Sequence, residues 1–453
     1  MPETALNTSA DLGRRTTRRI ALRLLPFLFV LYIFNYAVRV NVGFAALQMT
    51  GELGFSNAVF GFGAGIFFIG YFLLQVPATM LLELWSARVF IGGSLIAWGT
   101  LATLTGFISS ASEFYWIRFF LGITEAGFFP GVIVYLTYWF RQTDRAKAVA
   151  LFMAAIPASN MLGAVVASAL LRIEWFGMSG WRWLLIIEGF PSVLAGIVAF
   201  FYLTDRPQQA RWLPEDERRW ITEELSKEKE SKKSQAKLRP MEALRQPTVL
   251  LLGLAYFCYI TNSVGLGTWL PKIVQGISGL NTTQVSLISA IPWMLAIPAM
   301  IFNGFHSDRT GERRWHAALP LMLVGIGLGS AVMAGSNITL AIAAFSVATM
   351  ALYAFPSPFW TLPTLFLTGP AAAASIALIN SIGNLGGFTG PYVIGYLTDR
   401  TGSYAAGIYY LMAAGLVGGL TVLLLRRSLS QPEPVGPAVI PAAATAAQTA
   451  SRR

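Results

Sequence analysis

The run Trp181-Arg-Trp-Leu-Leu-Ile-Ile-Glu188-Gly-Phe-Pro-Ser-Val-Leu-Ala-Gly-Ile-Val-Ala-Phe-Phe-Tyr-Leu203 carries two charges, both within its first eight positions. A bilayer core of roughly 30 Å is crossed by about 20 apolar residues rising ~1.5 Å each. The run therefore predicts a membrane-spanning helix. Others of its kind lie near 20–47, 57–82, 88–108, 112–138 and 146–171, and then near 248–275, 284–305, 315–335, 337–366, 371–398 and 404–425. Strands of a membrane barrel would alternate apolar and polar residues over about ten positions. These runs are continuous, so the expected fold class is an all-α polytopic membrane protein with twelve spans.

Composition points the same way. Of 453 residues, 55% are hydrophobic and 12% are charged, against about 25% charged in a soluble domain. So little charge cannot clothe a water-facing surface of this size. The net charge of +11 raises nucleic-acid binding, and its distribution answers that reading. With the N-terminus placed in the cytoplasm, 27 of the 33 Lys and Arg fall on cytoplasmic segments. Arg172, Arg182, Lys272 and Arg400 fall on the other side, while Arg39 and Arg118 fall within spans. This asymmetry is the positive-inside rule for an even number of spans. It puts both termini in the cytoplasm, and no basic, aromatic-lined groove for nucleic acid accompanies it. Arg14, Arg15, Arg18 and Arg19 precede the first run as in a signal peptide, but that run is too long and lacks a small-residue cleavage site. It reads as a retained helix. Cys258 is the single cysteine, which excludes an intramolecular disulfide and a cysteine metal cluster. His306 and His316 flank a polar loop and do not read as a ligand pair.

The polar stretch 204–247 divides the spans into two sets of six. The expected organisation is an N-terminal segment (1–19), a six-helix bundle (20–203), a cytoplasmic linker (204–247), a second six-helix bundle (248–427) and a disordered tail (428–453) rich in Pro, Ala and Thr. Two such sets suggest an internal repeat about an axis along the membrane normal. After the eighth span stands Gly304-Phe-His-Ser-Asp308-Arg309-Thr-Gly311-Glu-Arg313-Arg314, and after the second a weaker Glu83-Leu-Trp-Ser-Ala-Arg88. Each sets an acid near a helix end with arginine beyond it. Asp308, Arg309 and Arg313 are thus candidates for a cytoplasmic latch, and the simpler reading is a charged loop obeying the positive-inside rule.

Charges inside a bilayer are costly and mark pathways or substrate sites. Arg39 lies about five residues, or roughly 7 to 8 Å, beyond the middle of the first span. Arg118 lies about 10 Å to the same side of the middle of the fourth. Glu125 sits two turns from Arg118 on one helical face. Two guanidinium groups at matched depth can each offer a fork of donors to a carboxylate. Glu125 has two readings: a fixed counter-ion that locks helices, or a switch that pairs with arginine when ionised and releases it when protonated, the form that desolvation favours. Tyr32, Asn35, Tyr36 and Arg39 form one stripe of the first helix, expected to face a central cavity. Tyr71 stands in an apolar second span, and Ser357, Trp360, Asn380 and Asn384 lie near helix middles or Pro-broken stretches. Pro356, Pro358 and Pro363 should interrupt the tenth span. Glu188 reads as structural, and Asn384 serves equally as an interhelical hydrogen-bonding residue.

Several stretches also resemble a known family. Asn35-Tyr-Ala-Val-Arg39-Val-Asn-Val-Gly-Phe, Arg118-Phe-Phe-Leu-Gly-Ile-Thr-Glu125-Ala-Gly-Phe-Phe-Pro130-Gly and Gly180-Trp-Arg-Trp-Leu-Leu-Ile-Ile-Glu188-Gly resemble the anion:cation symporters, a branch of the major facilitator superfamily. Pro358-Phe-Trp360 and Ala377-Leu-Ile-Asn380-Ser-Ile-Gly-Asn384-Leu-Gly-Gly look like the same branch, and the likeness runs from about 20 to 427. It implies two rocking bundles and proton-driven uptake of a small organic anion (a sugar acid, tartrate or an aromatic carboxylate) by a monomer without cofactor or metal. It also implies that Tyr36, Arg39, Tyr71 and Arg118 contact substrate from the first bundle, with Ser357, Trp360 and Asn380 from the second and Glu125 taking the proton. Bacterial relatives usually carry Asp before the first arginine, where this chain has Val38; a uniporter or exchanger is the alternative that this departure raises. Ala155-Ile156-Pro157 stands where sugar-acid carriers present an amide, which tilts the expected substrate toward a less hydroxylated or aromatic acid. A membrane sensor would need a signalling domain larger than 204–247. An intramembrane enzyme would need a Ser/His or metal constellation at membrane depth, and a pump would need a Gly-x-x-x-x-Gly-Lys-Ser/Thr loop. The sequence has none of these.

Overall fold

Inside a bilayer each backbone N–H and C=O must be bonded within its own segment, which long apolar runs achieve only as helices. A computed structural model of the chain describes residues 2–84, 86–153, 155–233, 246–363 and 369–425. In order the helices are α1 (Pro2–Glu52), α2 (Asn57–Leu84), α3 (Ala87–Thr105), α4 (Ala111–Glu125), α5 (Phe128–Thr137), α6 (Gln142–Met153), α7 (Ala155–Leu170) and α8 (Gly180–Tyr202). After α9 (Glu215–Lys233) come α10 (Pro247–Ser278), α11 (Thr282–Thr310), α12 (Arg314–Met333), α13 (Ile338–Ala354), α14 (Pro356–Phe359), α15 (Gly369–Thr401) and α16 (Ala405–Leu423).

Among the described residues, 11 spans are long and apolar enough to cross a membrane. The twelfth expected span lies in α15, a helix of 33 residues outside those eleven. It packs against α10 and α2 at once, and carries Asn380, Asn384 and glycines where lipid-facing helices carry Leu and Phe. Helix α1 begins at Pro2 and not near 20. The fourth span breaks after Glu125: Pro130 has no N–H to return to the Ala126 carbonyl, so α4 stops and α5 starts afresh at Phe128. The tenth breaks between Ala354 and Pro356. The tail from 426 onward and residues 234–245 lie outside the described residues.

Helix pairings repeat with an offset of six spans. In the first half α3 packs on α8, α2 on α4, α1 on α7 and α8, and α3 on α4. In the second, α12 packs on α16, α11 on α13, α10 on α15 and α16, and α12 on α13. The two halves meet through α2 with α15, α7 with α11 and α1 with α10. The α2–α15 contact is close because Gly61 and Gly65 face the Pro391 and Phe388 carbonyl oxygens, which a Cβ would meet at 2.4 and 2.8 Å.

The ends of the bundle differ. At the end remote from the Lys- and Arg-rich loops, Asp399 at the end of α15 accepts the backbone N–H groups of Asn57 (3.1 Å) and Ala58 (2.7 Å) at the start of α2. There also Lys272 donates to the Thr50 hydroxyl and Arg172 to that of Thr283, both at 2.7 Å. At the basic end α9 is clamped to the first half. Glu217, fully buried, pairs with Arg15 at 2.8 Å and Arg19 at 3.3 Å, and Arg145 reaches Glu228 at 3.1 Å. These pairs hold the Arg15–Arg19 stretch of α1 against the acidic helix.

Candidate functional site

The middle of the first half holds three charged side chains. Arg39 on α1 donates its Nε to Glu125 Oε1 at 3.0 Å, and its Nη2 bonds the same oxygen. Glu125 is 2% exposed and Arg39 19%. Asn35, one turn earlier on α1, lies beside the same carboxylate. Because α4 ends at Glu125, the carboxylate stands at a helix break, where the turn gives it room.

Arg118 is 2% exposed and no carboxylate pairs with it among the described residues. Its Nη2 reaches only the Ala64 carbonyl, at 3.5 Å, and its Nε has no partner. Both arginines stand over the ring of Phe67 on α2, Arg39 at 5.2 Å and Arg118 at 4.9 Å from its centroid. Their guanidinium carbons are thus at most about 10 Å apart, the sum of those distances. Tyr36 (5.5 Å), Phe68 (5.9 Å) and Tyr71 (5.3 Å) complete an aromatic collar around Arg39, and ring quadrupoles attract a cation placed so. With two guanidinium groups and one carboxylate, this region carries one uncompensated positive charge.

The second half lays aromatic groups against this centre. Tyr256 on α10 lies within electrostatic reach of Tyr36, Tyr71 and Arg39. Trp360 stands edge-on to Tyr256 at 4.8 Å, and Phe359 stacks on it at 5.4 Å. The Tyr353 hydroxyl faces Tyr36 and accepts from Asn160 Nδ2 on α7 at 2.9 Å. Asn384 donates to Gln75 on α2 at 3.2 Å, so its amide joins the halves. Asn380 is half-buried one turn before it. Ser357 is exposed, with its hydroxyl against Gly304 on α11.

Tyr256, Tyr353 and Asn160 were not among the residues singled out from sequence. Asn160 could have been found by the rule that marked Asn384, a polar amide within an apolar span. It lies one turn beyond Ile156 on α7. The tyrosines carried no such signal, because aromatic residues occur throughout these spans. Of the stripe on α1, Tyr32 stacks on Phe152 at 4.4 Å, inside the first half.

At the basic end Asp308 pairs with Arg313 at 2.5 Å across the turn from α11 to α12, a turn made by Gly311 at φ +69°, where a side chain would be strained. Arg309 is exposed. In the matching loop Arg88 turns to Asp205 beyond α8, which also holds the Ser86 hydroxyl at 2.7 Å; the side chain of Glu83 lies outside the described ones. The two histidines do more than flank their loop: His306 Nδ1 and His316 Nε2 meet at 2.7 Å. That is hydrogen-bond distance, the donor depending on the tautomer.

Comparison with known proteins bears on this arrangement. The family model described as Major Facilitator Superfamily matches residues 28–391. A protein of Agrobacterium vitis named for tartrate transport is 44% identical over 93% of this chain and 96% of its own length. A protein of Acinetobacter baumannii named a quinolone resistance transporter is 35% identical over 93% of this chain and 97% of its own. Among solved structures, a bacterial homologue of the human lysosomal transporter Spinster, inward-facing and unoccupied, aligns with a TM-score of 0.71 at 15% identity, covering 92% of this chain and 96% of that one. That likeness is one of fold.

Proposed function

This chain belongs to the Major Facilitator Superfamily and is a multi-pass membrane transporter, and from that premise we propose that it carries a small organic anion inward together with a proton. The observation that carries the reading is Arg118, a buried guanidinium without a counter-ion, about 10 Å or less from an Arg39 already paired. Burying such a charge in an apolar span is costly unless an anion arrives to meet it. A carboxylate bridging the two guanidinium forks compensates that charge, while Phe67, Tyr71, Tyr256 and Trp360 enclose the body of the ligand. Ser357 and Asn380 would meet the ligand from the second half.

Glu125 is the proposed proton site. Ionised, it holds Arg39; protonated, it frees Arg39 for the substrate, so an anion and a proton enter together. The Asp308–Arg313 pair, with Arg309 beside it, would serve as latch at the cytoplasmic end. The contacts gathered at the opposite end suit a state open to the cytoplasm, with both termini inside and two six-helix bundles (20–203 and 248–427) rocking about the site as a monomer in a bacterial inner membrane. The tartrate-named relative supports a hydroxylated dicarboxylate, for which the Asn160 amide on α7 would be a hydrogen-bonding group.

A second reading rests on Val38, which is 4% exposed and packed in an apolar cluster with Phe67, Phe68 and Leu121. With no acid there, an exchanger or uniporter is the alternative. Proton movement measured in proteoliposomes on adding tartrate, sugar acids or aromatic acids distinguishes them: external alkalinisation that Glu125→Gln abolishes supports symport, and uptake without a proton signal supports the alternative.

A further inference from the structure

A second buried carboxyl has no place in that mechanism. Glu188 on α8 is 9% exposed and faces Asn41 on α1, which is fully buried. Asn41 Nδ2 is hydrogen-bonded to Glu188 Oε1. The other two polar atoms of the same side chains, Glu188 Oε2 and Asn41 Oδ1, are both buried and both without a partner. Among the described residues no charged side chain pairs with Glu188. Asn41 faces it from α1, and Thr103 lies against the neighbouring Gly189 from α3. Gly163 of α7 abuts the Asn41 amide, and Ser192 on α8 itself spends its hydroxyl on the Glu188 backbone carbonyl. The charged groups of these helices are engaged elsewhere, Arg182 with Glu52 and Arg39 with Glu125.

An ionised carboxylate in that place would be a bare charge held by one neutral amide. A neutral acid instead has one O–H to donate, and the orphaned acceptor on its own partner is Asn41 Oδ1. We infer that Glu188 is carried as the neutral acid and donates from Oε2 to Asn41 Oδ1, closing a two-bond acid–amide ring that pins α1 to α8. Both orphaned atoms are then satisfied. Asn41 stands two residues beyond Arg39 on α1, so the ring fixes the stretch of α1 that presents Arg39 to Glu125. Glu188 is a positioning residue. Losing its proton would break one bond of the ring and leave a charge beside α1, whereas Gln at 188 keeps a donor and an acceptor toward Asn41 at every pH.

The test is infrared difference spectroscopy of the purified full chain in nanodiscs, wild type against Glu188→Gln, with transport followed across pH. The expected result is a protonated-carboxyl carbonyl band at neutral pH that is lost in Glu188→Gln and displaced in Asn41→Ala. Transport should fall at alkaline pH in the wild type, while Glu188→Gln keeps its activity there. Absence of the band would mean an ionised Glu188 and overturn the inference; a band indifferent to Asn41→Ala would overturn the ring. Should Glu188→Gln fail to fold, the band and its displacement in Asn41→Ala still decide the matter. The infrared readout does not depend on what the protein carries, so it fails or holds separately from the anion reading.

Discussion

Arg118 and Glu125 should respond in opposite ways when each is neutralised without change of shape. Arg118 is buried without a counter-ion, so Arg118→Gln removes a charge that the fold holds at a cost. Stability should be unchanged or slightly raised. Glu125 is the partner of Arg39, so Glu125→Gln strands a guanidinium, a loss of about 3 kcal/mol for a broken buried pair. Binding should reverse the order. A guanidinium fork on a carboxylate makes charge-assisted bonds of roughly 1.5–3 kcal/mol each. Losing about 3 kcal/mol of this in Arg118→Gln weakens anion binding on the order of 100-fold. Titration calorimetry of tartrate and a melting curve for each purified variant supply both numbers. An Arg118→Gln protein that binds within threefold of wild type, or that melts well below Glu125→Gln, would refute the reasoning.

Other contacts give smaller effects. Tyr353→Phe removes the acceptor of Asn160, a net bond of ~1 kcal/mol, and should raise the KM for uptake about fivefold with the protein's melting temperature little changed. Asp399→Ala uncaps the start of α2, a loss of ~1 kcal/mol. In a Cys258→Ser background, a cysteine placed at Tyr392 should then label faster from outside the cell, and an unchanged rate would show that Asp399 does not hold that end closed. Glu217→Gln removes the carboxylate that Arg15 and Arg19 share, leaving Arg15 only its bond to Asp216, and costs roughly 1 kcal/mol, since both arginines reach water. Limited proteolysis should then cut within 204–247 sooner, and more so at high salt.

Much of the fold is legible in the sequence because the bilayer imposes one length and one hydrogen-bonding solution on every span. Residues 181–203 and Gly180–Tyr202 agree within a residue for that reason. The docking of α1 through Arg15 and Arg19 was not legible, since it depends on an acidic helix far along the chain. At the centre, helical rise alone placed Arg39 and Arg118 at similar depth, and Pro130 marks the break beside Glu125. Tyr256 and Tyr353 stayed hidden because only the packing of the two halves brings them to Tyr36 on α1. The exclusive pairing of Glu188 with Asn41 was hidden too, since the two are 147 residues apart.

The most direct test of the account is tartrate uptake into proteoliposomes with an external pH dye, comparing wild type and Arg118→Gln. The account predicts saturable uptake with alkalinisation outside, and neither in the variant. Uptake that proceeds unchanged without Arg118, or transport confined to neutral and cationic compounds, would contradict it.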